Sequence, residues 1–163
     1  MLSQTCRLGS SLMQLAKFTD YALRVLMHLA VSEKHSLSTR QIATMQDAKF
    51  NHMAKVTQWL SREGYVDSLR GRSGGLRLAI APENINIGRL VRALESPDVL
   101  VECLRPDGGL CVLSPICGLT PVLRDAQEAF FKTLDQYSLV DLTPQGSPLT
   151  QLLQRMNAPV VGA

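Results

Sequence analysis

Cys103, Cys111 and Cys117 stand at C-x7-C-x5-C in a stretch broken by Pro97, Pro106, Gly108, Gly109, Pro115, Gly118 and Pro121. Thiolates at that spacing, on backbone free of regular structure, can converge on one soft metal centre. Three thiolates leave a tetrahedral or cubane site one ligand short. His28, His35 and His52 all lie in the first half of the chain. A fourth ligand must therefore come from a distant part of the chain, a second subunit or a small molecule. On the residues alone, a cluster, a structural zinc, redox-active thiols and incidental cysteines all remain open. A disulfide is disfavoured, because a chain without an export signal sits in a reducing compartment. A catalytic thiol would want a base close by, and no histidine is placed for it.

The second chemistry-bearing set is basic and amidic. A helix opening at Asn51 presents Asn51, His52, Lys55, Gln58 and Arg62 away from its apolar side. Asn and Gln pair with adenine, and Lys and Arg with guanine or phosphate. A solvated helix face would carry the same residues. Beyond it, Arg70, Arg72 and Arg77 lie between Asp67 and Glu83 with no acidic residue among them. Glycines at 71, 74 and 75 let that turn approach a groove wall, where concentrated negative potential attracts arginine. The turn matches neither a GxGxxG nor a Walker A loop, so nucleotide binding is the weaker reading. Helix and turn together point to duplex DNA.

The elements that must position these residues follow from period. Tyr21, Ala22, Val25, Leu26 and Leu29 recur at spacings of three and four, predicting a helix over Phe18–Ala30 with Thr19 or Asp20 as its cap. Ser38-Thr39 caps a short helix over Arg40–Met45, which turns inward Ile42 and Ala43. Asn51 caps the next, to Glu63, with Met53, Val56, Trp59 and Leu60 inside, and Gly64 ends it. Tyr65, Val66 and Leu69, then Leu76, Leu78 and Ile80, predict a hairpin that Pro82 closes. Two helices joined by a short turn, then a two-stranded hairpin, is the order of a winged helix-turn-helix. A short helix from Ile85 to Leu94 follows, and after Pro121 a long one carries Val122, Leu123, Ala126, Ala129, Phe130 and Leu134 on one face.

The expected fold is mainly α, a winged helix-turn-helix domain with a two-stranded β wing plus a long dimerisation helix. Its divisions are a loose extension at 1–12, in which Cys6 is incidental and after which Met13 could serve as a start; a DNA-binding domain at 13–96; a cysteine-rich loop at 97–120; the dimerisation helix at 121–143; and a tail at 144–163. Charge agrees with this division. Up to Pro97 there are 13 basic against 7 acidic residues, and beyond it 4 against 7. A basic front half suits a polyanion. Hydrophobic residues at 45% support a real core. No apolar run reaches the roughly 18 residues of a membrane span, and the first dozen residues lack a signal-like core.

The segments FTDYALRVLMHLA, NHMAKVTQWLSREGYV and RGRSGGLRL, the triple-Cys loop and DAQEAFFKTLDQYSLVDL together resemble the bacterial winged-helix iron–sulfur repressors, over about Met13 to Leu142. That resemblance implies a cytoplasmic homodimer, crossed through the long helix, that is no enzyme and binds palindromic double-stranded operators. It implies an iron–sulfur cluster held on Cys103, Cys111 and Cys117. Within the family the chain looks closest to the nitric-oxide-sensing repressors. There an Asp near the start of the first helix, given by the other subunit, completes a 4Fe–4S site, and the matching residue is Asp20. The histidine that other members place after the third Cys is replaced here by Gly118, Leu119 and Thr120. A 2Fe–2S cluster, an iron- or redox-responsive regulator, and a zinc-stapled dimer without a sensing role are the alternatives.

Overall fold

α1 (Lys17–Ala30) turns Ala22, Val25, Leu26 and Leu29 into the core at the predicted spacing. It starts earlier than expected. Its cap position is Ala16, without a side-chain bond, so neither Thr19 nor Asp20 is the cap. Asp20 lies in the first turn, where a carboxylate complements the positive helix end, and it pairs with Arg24 one turn on at 2.9 Å. Thr19 is buried instead. The computed structural model describes residues 15–32, 36–69, 74–95, 102–105, 109–113 and 116–158. The expectations for Cys6, His35, Arg70, Gly71 and Arg72 lie outside those residues.

α2 (Thr39–Met45) opens on a complete capping box. The Gln41 N–H donates to Ser38 Oγ, and the Ser38 N–H to Gln41 Oε1. Ile42 and Ala43 are buried as predicted. Asp47 then takes φ 47°, a left-handed turn that Asp tolerates better than most residues. The turn leads into α3 (Phe50–Arg62). The cap of α3 is Lys49, not Asn51. Asn51 thus sits inside the first turn with its side chain exposed and free of capping duty. Met53, Val56 and Leu60 are buried and Trp59 half-buried against Phe18 and Tyr65.

β1 (Val66–Leu69) and β2 (Gly75–Leu78) pair antiparallel in the register Val66↔Leu78 to Leu69↔Gly75. Leu37, just before α2, adds two backbone bonds to Leu76, of 3.2 and 2.8 Å. A Cβ on Gly75 would stand 2.9 Å from Ser36 Cβ and 3.1 Å from the Leu37 carbonyl carbon. That glycine is needed for this internal approach, a use the sequence did not suggest.

α4 (Ile87–Leu94) is capped by Asn86, which accepts from Arg89 N–H, and a short 3-10 turn at Pro82–Asn84 precedes it. The helix therefore begins two residues later than expected. α5 (Leu119–Leu134) begins before Pro121, since proline in a first turn forfeits no intrahelical bond. The expected continuous helix over 121–143 is two elements. α5 ends at Leu134, and α6 (Leu139–Leu142) is recapped by Ser138 with Asp141. α6 is pinned to the head through Leu139 N–H to Ile85 O, 2.9 Å, and Ile87 N–H to Tyr137 O, 2.9 Å. The tail, where an apolar turn was expected over Leu149–Met156, holds a full helix that starts one residue earlier. α7 (Pro148–Asn157), capped by Ser147, buries Leu153 and docks on α1.

One hydrophobic core joins α1 to α6, with His28 fully buried at its edge. The His28 Nδ1 lies 2.7 Å from Asn157 Oδ1, which can only accept, so Nδ1 carries the proton. Its Nε2 lies 2.6 Å from Gln46 Nε2, and accepts. Burial lowers the His28 pKa, and the Asn157 bond offsets this in part. The unfolded chain therefore binds this proton first. Below about pH 6.5 stability should fall with pH until the folded histidine titrates too, and above it this group contributes no slope. Thermal midpoints between pH 7.5 and 5 test this: the decline should be shallower in His28→Gln.

Candidate functional site

Asn51, His52, Lys55, Gln58 and Arg62 are all exposed on α3, opposite the buried Met53, Val56 and Leu60. The helix thus separates the two roles the sequence assigned to it. Arg62 Nε meets Glu63 Oε1 at 3.0 Å, and on the wing Arg77 meets Asp67 at 3.2 Å across the strand pair. Both pairs are exposed. Such pairs contribute about 0–1 kcal/mol, so a phosphate can replace the carboxylate at little cost. The structure adds two residues that the sequence reading passed over. Phe50, at the first position of α3, is 43% exposed, and the Arg40 guanidinium stacks 4.9 Å from its ring centre. An aromatic residue opening a recognition helix was the signal available for them.

The thiol region is built at the start of α5. Cys103 lies on a 3-10 turn at Glu102–Leu104, and Cys117 immediately precedes the α5 cap, Gly118. The Thr120 hydroxyl donates to Cys103 Sγ at 3.6 Å. The Cys117 thiol is held below the usual thiol range, first by the Leu119 backbone N–H. The backbone N–H and hydroxyl of Thr120 add to this, against a smaller opposing desolvation. The Thr120 hydroxyl thus lies within reach of two of the three cysteines, at a helix end whose N–H groups favour thiolate. Cys111 is exposed. All three are free thiols, and no disulfide joins them. Among the described residues no group of three or more His, Cys, Asp or Glu is gathered to hold a metal. A single chain therefore brings Cys103 and Cys117 together, and leaves Cys111 and Asp20 apart from them.

The donor chemistry nonetheless suits an iron–sulfur cluster: three free thiols, one of them favoured as thiolate, and a carboxylate on a separate element. Asp20 is half-exposed, held by Arg24 Nε on Oδ1 alone. The start of its helix is tied to the end of α4 by Ala16 N–H to Glu95 Oε1, 2.9 Å. Around the thiols the surface is unusually apolar. Leu110, Val112 and Ile116 are 88–89% exposed, and Leu119, Val122 and Phe130 continue this along α5. Bare apolar surface in that quantity marks an interface. Among the described residues no helix is long and apolar enough to cross a membrane.

A helix-turn-helix pair, a β wing and a thiol-bearing arm define a winged-helix transcriptional regulator. Comparison with known proteins agrees. The profile of the Rrf2 family, described as iron-dependent transcriptional regulators, matches residues 15–145, and the chain belongs to this family. It is 43% identical to the HTH-type transcriptional regulator NsrR of Halalkalibacterium halodurans, over 87% of this chain and 98% of that protein. It is 44% identical to NsrR of Bacillus subtilis (strain 168), over 87% and 98%. Among solved structures, IscR of T. potens superposes with a TM-score of 0.65 at 21% identity, covering 82% of this chain and 88% of that one. CymR of Staphylococcus aureus gives 0.64 at 22%, covering 81% and 99%. These two share the fold.

Proposed function

We propose that the chain is a homodimeric repressor that binds palindromic double-stranded operators, with an affinity set by an iron–sulfur cluster that senses nitric oxide. The observation that carries this reading is the meeting of Cys103 and Cys117 at Thr120, on the arm of a winged-helix regulator. Cys103, Cys111 and Cys117 are the thiolate ligands, and Asp20 is donated across the dimer to complete a 4Fe–4S site. The exposed face of α5 supplies the dimer contact, and the basic front half, with Arg70, Arg72 and Arg77, the DNA contact. The units are the DNA-binding domain at 13–96, the cysteine loop at 97–120, the dimerisation segment at 121–143 and the C-terminal tail at 144–163, whose α7 docks back on α1. The protein acts in the cytoplasm and is no enzyme.

When bound, the cluster supplies iron open to attack by nitric oxide. Asp20 is the hardest donor of the set and the only one outside the loop, so it is the ligand most readily lost. Asp20 and the opposite subunit's thiols, sharing one cluster, would tie α1 to that subunit's arm, and without it Asp20 would keep only Arg24. α5, which would carry the dimer contact, would then hold the two recognition helices at their distance less firmly. Both helices engage only when their half-sites lie about 34–36 Å apart. A coupling of about 1–3 kcal/mol changes affinity about 5–150-fold, enough for a switch.

Anaerobic purification tests the reading directly. The expected protein is coloured, contains iron and sulfide, and loses its spectrum and its operator affinity together on nitric oxide addition. Colourless or zinc-only protein overturns the cluster. Affinity that ignores nitric oxide but follows iron supply or oxidation would place the chain with the iron- or redox-responsive regulators instead. On the DNA side, Lys55→Ala should lower the slope of log affinity against log salt by about one, and the pair Arg70→Ala, Arg72→Ala by about two. An unchanged slope would remove those residues from the interface.

A further inference from the structure

Asp20 is the end of a continuous polar chain that runs through the helix-turn-helix to the C-terminal helix. Arg24 donates from Nε to Asp20 Oδ1 at 2.9 Å and from Nη1 to Gln46 Oε1 at 3.1 Å. Gln46 is the residue that closes α2. Its amide nitrogen donates to His28 Nε2, and His28 Nδ1 donates to Asn157 Oδ1. Asn157, at the end of α7, is itself held by donating to His28 O at 3.0 Å and to Ser32 Oγ. Arg24 can only donate, and with the Asn157 and Gln46 amides placed as they are, the neutral His28 ring donates from Nδ1 and accepts at Nε2.

We propose that Asn157, acting through His28 and Gln46, is a positioning residue for Arg24 and hence for Asp20, so that the docking of α7 is a second input to the DNA-binding head. Neutral His28 presents an acceptor at Nε2, which orients the Gln46 amide with its oxygen towards Arg24. An imidazolium presents a donor there. The Gln46 amide must then turn its oxygen to His28 and its N–H groups towards Arg24, where two donors face each other. Arg24 loses Gln46 and keeps only Asp20, and the tie between α1 and the end of α2 is cut. Burial favours the neutral ring, and among the described residues no carboxylate bonds it. The charged groups on the packed elements are Lys17, Asp20 and Arg24 on α1, Arg40 on α2 with Asp47 just after it, Lys55 and Arg62 on α3, Arg77 on β2, Arg89 and Arg92 on α4, Asp141 on α6 and Arg155 on α7. None of these bonds the ring, whose two partners are Asn157 and Gln46. Arg155 is turned to Gln151 O instead.

The importance of Asp20 rests on the function proposed above; the relay itself does not. The test is Asn157→Asp in the full-length protein, which places a carboxylate on Nδ1 and raises the His28 pKa. Imidazole nitrogen shifts report the ring's protonation, and fluorescence anisotropy reports affinity for an operator selected from random duplexes. In Asn157→Asp, affinity should fall about tenfold between pH 8 and 6, following His28. The unaltered chain should lack this His28-linked fall over that range and show it only at lower pH, again with His28. The double variant Asn157→Asp, Gln46→Met keeps the titration but lacks the responding amide, so its affinity should be flat. A merely structural Asn157 would lower the thermal midpoint of both variants without producing this difference. If His28 titrates near neutrality and operator affinity does not follow, the relay is overturned. Should Asn157→Asp not fold, the low-pH arm of the unaltered chain decides in the same way. Iron content, measured on the same samples, separates the two readings: protein without iron but with the pH profile sinks the cluster alone.

Discussion

Cys117→Ser protein, purified anaerobically, is expected to be colourless and to carry essentially no iron, while its circular dichroism and thermal midpoint match those of the unaltered chain. Losing a group that merely supports a metal ligand costs about 10–100-fold in metal affinity, and losing a ligand costs more. Cys117 is the thiol best prepared for the task, since it receives the first backbone N–H of α5, at Leu119, and both donors of Thr120. Serine keeps the size but not the soft thiolate. Cys117 is only half-buried and serine is close to it in size, so the fold has little to lose. Thr120→Val is the companion. It removes the hydroxyl shared by Cys103 and Cys117 and should weaken, without abolishing, iron retention. Full iron in Cys117→Ser would exclude this cysteine as a ligand.

The parts of the fold that were legible in the sequence are those where one helix face or one capping residue decides. Ser38 with Gln41 three residues on, the apolar stripe from Met53 to Leu60, and Gly64 at φ 77° each follow from local physics. The misplacements have a common cause. Thr19, Asp20 and Asn51 are good capping types, yet tertiary contact extends both helices past them. Thr19 is drawn into the core, and Ala16 is held by Glu95, which is 79 residues away. No local pattern reveals such a bond. The continuous arm expected over 121–143 failed for the same reason. Ser138 recaps the chain because Tyr137 and Leu139 pair with Ile87 and Ile85. At the site, residue type and spacing singled out the cysteines and the α3 face, whereas Asp20 was pointed to only by the family resemblance. Arg24 and Gln46 were invisible, since their meaning lies in a chain of bonds between helices rather than in either residue's surroundings in sequence.

Gly88→Ala should be the most damaging small change in the head, though it adds one methyl group. Gly88 is buried where α4 crosses α5, and an added Cβ would stand 2.6 Å from the Asp135 backbone nitrogen and 2.7 Å from its Cγ. The side chain could rotate away, but the backbone cannot. Asp135 N–H is bonded to Phe131 O at 2.8 Å, and Asp135 O accepts from Asn86 Nδ2 at 2.7 Å. The same joint carries Arg92, which reaches Asp135 at 2.8 Å and Glu128 at 3.1 Å and lies over the Phe131 ring. Overpacking of this kind costs about 1–3 kcal/mol, or several degrees of thermal midpoint in a chain of this size. The consequence for DNA should be larger than for folding. In the proposed dimer α4 belongs to the head and α5 to the arm, so a wedge between them should rotate one recognition helix relative to its twin and spoil the spacing that a palindrome would demand. Gly118→Ala is the control, because a Cβ there meets nothing within 4 Å and the residue already has helical φ and ψ. If Gly88→Ala melts and binds operator as Gly118→Ala does, the joint between α4 and α5 is not the rigid element through which the arm governs the head.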